Sequence, residues 1–116
     1  MQIKCAFANH RFTVTLEDNP TARDLVSLLP VDLTIDDYST NEKIAGLPRK
    51  LSEDGSKPFS NEMPGDLAYY APWGNLAFFH SIYRYSKGLI RIGRLNDVVR
   101  PLHIRGRFGL RIDLVP

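Results

Sequence analysis

Gly65–His80 reads GDLAYYAPWGNLAFFH and places five aromatic residues in sixteen positions. Apolar and aromatic residues fill both alternating sets on either side of Pro72-Trp73-Gly74. Leu67, Tyr69 and Ala71 point one way and Ala68 and Tyr70 the other, because successive strand residues face opposite sides. On the return, Leu76, Phe78 and His80 share one face, while Ala77 and Phe79 share the other. Ala71-Pro72-Trp73-Gly74 suits a type I turn, with proline second and glycine fourth. The stretch is therefore a hairpin, Leu67–Ala71 and Leu76–His80, with large groups on both faces. That suits the wall of a barrel, where one face fills the interior and the other meets a ligand, a loop or a partner.

Working outward, the same two-residue period recurs. Ile3, Cys5 and Phe7 alternate with polar or small residues, as do Phe12, Val14 and Leu16, with a tight turn at Asn9-His10. Val31 to Asp36 alternates again, Glu42–Leu51 does so weakly, and Leu89–Leu95 forms a further strand. In the last strand Ile104, Gly106, Phe108, Leu110, Ile112 and Leu114 make one face, and His103, Arg105, Arg107, Gly109, Arg111 and Asp113 the other. One helix interrupts the pattern. Asp18-Asn19-Pro20 sets a capping residue before proline, Ala22, Leu25, Val26 and Leu29 follow at helical spacing, and Pro30 ends it. Asp97 is a candidate cap for a short turn through Val98 and Val99. Residues 52–64 are rich in turn formers and read as one exposed loop.

About eight strands and so little helix predict a mostly β fold: a closed or nearly closed barrel, mainly antiparallel, with one or two short helices. The 116 residues fit one domain spanning 1–116. The single cysteine, Cys5, excludes an internal disulfide and reads as core. Met1–Phe7 lacks the basic-then-apolar pattern of a signal peptide, and no apolar run approaches a membrane span, so a cytoplasmic protein with no membrane partner is expected. No pattern fixes an oligomeric state.

Charge is unevenly placed. Residues 1–66 carry seven Lys/Arg against eleven Asp/Glu, a balance of −4, and residues 67–116 carry eight against two, a balance of +6. Nucleic acid is one explanation of a basic half. Strand alternation is the simpler one for Arg105, Arg107 and Arg111. Gly-x-Ser-x-Gly, Gly-rich phosphate-loop and His-Glu-x-x-His signatures are absent. His10, His80 and His103 are scattered without cysteine partners, so no metal site and no cofactor is read. Asp36-Asp37 reads as a solvated loop.

Gly65–Pro72 and Gly74–Phe79, together with Asn19-Pro20-Thr21-Ala22, Leu28-Leu29-Pro30, Glu42-Lys43-Ile44, Leu47-Pro48 and Gly88–Leu95, resemble the cyclophilin-like family of small bacterial proteins, which mostly lack an assigned activity. The resemblance covers nearly the whole chain and implies the cyclophilin barrel. True cyclophilins are peptidyl-prolyl isomerases. Their reaction lowers a rotational barrier of roughly 18–20 kcal/mol about an amide bond and needs an apolar proline pocket plus an arginine donor that acts as the amide twists. The resemblance makes Phe79 the pocket floor. The Phe-His-Arg and Gln-Gly-Gly segments that accompany the cyclophilin arginine do not occur, and Arg49 is the nearest substitute by order along the chain.

Three functions follow from this reading. The first is a binding module for a small apolar ligand or a proline-containing peptide, using Tyr69, Tyr70, Trp73, Phe79 and Tyr83. The second is an active prolyl isomerase with Arg49 as the catalytic donor. Nucleic-acid binding through the basic C-terminal half ranks third.

Overall fold

In the computed structural model, which describes residues 1–116, the strands are β1 (Gln2–Phe7), β2 (His10–Leu16), β3 (Val31–Tyr38), β4 (Glu42–Gly46), β5 (Asp66–Tyr70), β6 (Asn75–Phe79), β7 (Leu89–Leu95) and β8 (Phe108–Leu114). Helix α1 (Pro20–Val26) follows β2, and one 3-10 turn spans Arg100–His103. The strands close into a barrel in the order β1-β2-β7-β5-β6-β4-β3-β8, with every neighbouring pair antiparallel. Closure gives each strand two partners and leaves no edge to template aggregation. No helix is long and apolar enough to cross a membrane.

The predicted alternation fills the interior. Ile3, Cys5, Phe12, Val14, Leu67, Tyr69, Leu76, Phe78, Ile92, Leu110 and Ile112 are buried in one continuous core, to which α1 adds Ala22 and Leu25. Burial pushes the Cys5 thiol up to about 12, so it stays protonated and behaves as a small hydrophobe. Helix α1 starts as its sequence requires: Asn19 caps it by accepting a hydrogen bond from the Ala22 N–H at 2.8 Å, and Pro20 opens the first turn.

Several boundaries differ from the reading by alternation. The first hairpin turns at Ala8–Asn9, not Asn9–His10, because Phe7 pairs with His10 and both turn residues take positive φ (48° and 67°). That is the backbone a two-residue turn needs to match strand twist. Helix α1 ends at Val26, three residues early. The N–H groups of Leu28 and Leu29 bond three residues back, to Leu25 and Val26, so the chain tightens before Pro30, as helices do ahead of a proline. The short turn sits at Arg100–His103, with Pro101 inside it, and has no cap from Asp97. β8 begins at Phe108, since Gly106 at φ +130° breaks the extended run.

The largest difference concerns Asp36-Asp37, which lie within β3 and not in a solvated loop. Lys43 explains it. On β4 it takes an inward position and is fully buried. Its Nζ donates to Asp37 Oδ1 at 2.9 Å and to the Gly106 carbonyl at 3.3 Å, with the Phe7 and Phe108 rings 5.7 and 5.6 Å away. A buried cation persists only with such pairing.

Candidate functional site

The β5–β6 hairpin forms with its two faces as predicted. The inner face joins the core. The outer face, Ala68, Ala77 and Phe79, packs with Tyr83 and Leu89 in a second apolar cluster, with Tyr70 half-buried against it. Beside that cluster a cleft of about 280 Å³ opens on the outer wall of the barrel. It falls just short of the usual range for ligand pockets, which starts near 300 Å³.

Strand pairing dictates the cleft's base. Glu42 stands opposite both Phe79 of β6 and Tyr38 of β3, and Ile44 opposite Ala77. Directly opposed residues in an antiparallel pair point to the same side. Tyr38, Glu42, Ile44, Ala77 and Phe79 therefore share one outward surface, and all five line the cleft. The turn between β5 and β6 contributes Trp73. It is held by the Gly74 N–H donating to the Tyr70 carbonyl at 2.9 Å and by Gly74 at φ +67°. The segment after β6 contributes Tyr83, Arg84 and Ser86.

Five rings give the site its shape. Phe79 and Tyr83 stack with centroids 3.7 Å apart and planes 5° from parallel. The Tyr83 hydroxyl donates to Asp66 Oδ2 at 2.7 Å, and Asp66 is itself fixed by Arg94 Nε at 2.7 Å and by the Met63 N–H at 3.1 Å. Burial first, and then the Asp66 carboxylate, push the Tyr83 hydroxyl well above its ordinary pKa, so it remains a donor. Tyr38 and Tyr70 each meet Trp73 edge-to-face, at 5.1 and 5.3 Å and at 84° and 81°. These three rings are walls meeting at corners, not a flat stack. Trp73 is 56% exposed and Tyr38 43%.

Two polar groups stand among the rings. Burial alone pushes the Glu42 carboxyl up to about 7, with no hydrogen bond or opposite charge holding it down. Asn75 is 5% exposed and donates through Nδ2 to the Leu76 carbonyl at 2.9 Å, which leaves its Oδ1 buried without a partner. A carbonyl can only accept, so that bond fixes which end of the amide is the orphan. Arg84 lines the exposed rim.

Of the residues singled out by sequence, Tyr70, Trp73, Phe79 and Tyr83 come together in the cleft. Tyr69 stands on the opposite face of β5, wholly inside the core, where its hydroxyl accepts the Leu51 N–H at 3.0 Å. Arg49 does not line the cleft. It pairs with Asp24 at 2.8 Å and donates to Ser27 Oγ at 3.0 Å, beside helix α1. Tyr38, Glu42, Asn75 and Arg84 join the site without having been picked out. For Glu42 the available signal was its strand: in Glu42-Lys43-Ile44-Ala45 one charge must face each way.

The fold and cleft together define a class: a closed eight-stranded antiparallel barrel with an aromatic site on its outer wall. The chain belongs to the cyclophilin-like family, whose model matches residues 5–113. Among solved structures it is similar to the hypothetical protein AF2241 from Archaeoglobus fulgidus, with a TM-score of 0.75 at 18% identity over 99% of this chain and 95% of that one. At that identity the likeness is one of fold. No curated protein matches.

Proposed function

We propose that the protein is a binding module that takes a small, largely apolar ligand or the proline of a peptide into the outer-wall cleft, with Phe79 as floor and Trp73, Tyr38 and Tyr70 as walls. The observation that supports this most directly is the corner of half-exposed rings over a buried, stacked floor. Exposed aromatic surface around a concavity is where apolar burial, worth about 25 cal/mol per Å², is still to be gained. Trp73 is the chain's one tryptophan and stands at the site, so its fluorescence reports occupancy. Acetylated Xaa-Pro peptides are expected to shift Trp73 emission saturably and to move amide resonances of Tyr38, Tyr70 and Phe79. A silent Trp73 together with unmoved resonances across a panel of such peptides would end this reading.

A second reading, prolyl isomerisation, gains one observation. Arg84 lies on the cleft rim, whereas Arg49 is engaged with Asp24. The donor is then assigned to Arg84. An exchange assay on an Xaa-Pro peptide should show acceleration that Arg84→Ala removes and Arg49→Ala keeps; no acceleration by the unaltered protein sinks it.

A further inference from the structure

Resting on the ligand-cleft reading above, we propose that this cleft recognises an ammonium group: a small organic cation with N–H donors on an apolar ring or chain, such as a free N-terminal prolyl residue or a cyclic secondary amine. Three independent features of the wall converge on that chemistry.

The first is the ring arrangement. Tyr38 and Tyr70 each meet Trp73 at nearly a right angle, and all three rings line the cleft. Aromatic faces carry negative potential, and a cation within about 6 Å of a ring centroid is attracted by it, most strongly to tryptophan. The second is Glu42, a carboxylate set among these rings with no cation of the chain paired to it. An ionised carboxylate in such surroundings is costly unless a positive charge meets it. Lys43, next in sequence, points to the other face and is already bonded to Asp37. The third is Asn75 Oδ1, a buried acceptor without a donor. Buried polar atoms are nearly always paired, so an orphan acceptor in a cleft wall asks for a ligand N–H. A quaternary ammonium would satisfy the rings and Glu42 but could not satisfy Asn75. A protonated amine satisfies all three.

The groups facing Glu42 from the packed elements are few. Tyr38 of β3 and Phe79 of β6 stand directly opposite it, and Tyr83 and Arg84, from the segment after β6, line the same cleft. Arg84 is the one cation among them and lies at the solvent-exposed rim, where screening is strong. His80, just after β6, is held below its ordinary pKa by burial and by the neighbouring His103, so it stays neutral in the neutral range.

The test compares prolyl-glycine amide, its N-acetylated form, pyrrolidine and tetrahydrofuran, read by Trp73 emission and amide resonances. Near pH 8 pyrrolidine is wholly and prolyl-glycine amide partly in the ammonium form, while the other two are neutral five-membered-ring analogues. The amines are expected to bind about tenfold or more tightly than their neutral counterparts. Glu42→Gln should remove that preference, so that prolyl-glycine amide binds the variant no more tightly than its acetylated form does; a preference that persists in the variant overturns the role given to Glu42. Affinity for the amines should fall as pH drops through 7, where Glu42 takes up a proton while the amines keep theirs. Prolyl-glycine amide binding well above pyrrolidine would identify a peptide N-terminus as the source, and equal binding a free amine. If the acetylated peptide binds as tightly as the free amine, the cleft is a ligand site and the ammonium inference is overturned. If none of the four probes binds, both readings fall.

Discussion

Glu42 and Lys43 are neighbours with opposite fates. Lys43 enters the barrel and is met by Asp37, the Gly106 carbonyl and two rings, whereas Glu42 turns outward into the cleft and is met by nothing charged. The raised pKa of Glu42 is therefore a stability statement. Below about pH 4 the carboxyl is protonated in folded and unfolded chains alike and costs nothing. As pH rises toward 7 the unfolded chain ionises freely while the folded one resists, so stability is lost across that window and stays lost above it. The full shift would correspond to about 3 kcal/mol, and residual solvent at the cleft mouth reduces it to about 1–2 kcal/mol. Glu42→Gln is accordingly expected to be more stable than the parent by that amount near pH 8 and indistinguishable near pH 4, measured by urea midpoints. A variant no more stable at the higher pH would mean the carboxylate is better solvated than its surroundings imply. Such a trade of stability for an unmet charge is what binding sites do. In the sequence the pair was legible only in part. Alternation sends the two charges to opposite faces, but Ile44 and Ala45 make both faces apolar, so local pattern does not say which one is inside.

At the scale of elements, strands were readable even where both faces are buried, β7 to its boundaries and the β5–β6 hairpin to within a residue. Two of the errors fell at β3 and β8: Lys43, on the neighbouring strand, pairs with Asp37 in β3, and the Gly106 backbone delays β8. Tyr69 and Tyr70 were both candidates for the site because adjacent aromatics look alike in sequence. Only barrel closure decides that Tyr69 faces the core. Closure also explains how the Trp73 turn is placed. The Ala71 N–H donates to the Gly88 carbonyl at 2.9 Å, and Gly88, at φ +99°, lies against Pro72. A Cβ at Gly88 would come within 2.7 Å of Pro72 Cδ and 2.9 Å of its Cγ. Gly88→Ala must therefore push the 71–74 turn, and Trp73 with it, away from Tyr38 and Tyr70. We expect about 1–3 kcal/mol of destabilisation from the strained backbone and the clash, a red-shifted Trp73 emission, and weaker binding of any cleft ligand. Unchanged emission and affinity would show that the turn does not need this support.

For the whole molecule, the charge split along the sequence is cancelled by topology. β7 lies beside β5 and β8 beside β3, so basic and acidic segments are interleaved. Arg94 meets Asp66 at 2.7 Å, Arg91 meets Glu17 at 3.3 Å, Arg105 meets Asp37 at 3.7 Å, and Arg111 meets Asp32 at 3.1 Å. Four of the arginines that suggested a nucleic-acid surface thus face carboxylates of the first half, which leaves less free charge for that reading. The same arrangement predicts how the protein fails in acid. Asp24 is held down to about 2 by the Arg49 guanidinium and then the Ser52 N–H, joining α1 to the segment after β4. For Asp37 burial pushes upward, but the Gly106 N–H and Lys43 outweigh it and keep the carboxyl below its usual value. Depressed carboxyls stabilise the fold fully above their unfolded pKa, about 3.9, and lose that contribution as pH falls through their folded values. Urea midpoints should therefore rise slightly from neutral pH to about 5 as Glu42 takes up its proton, and drop steeply between about 4 and 2. The fall comes where Lys43 loses its counter-charge while fully buried, so global unfolding is expected there, not local fraying. Asp24→Asn should lower the neutral-pH plateau and make the acid limb shallower. A midpoint that stays level down to about pH 2 would mean that these carboxylates are no better stabilised in the folded barrel than in the open chain.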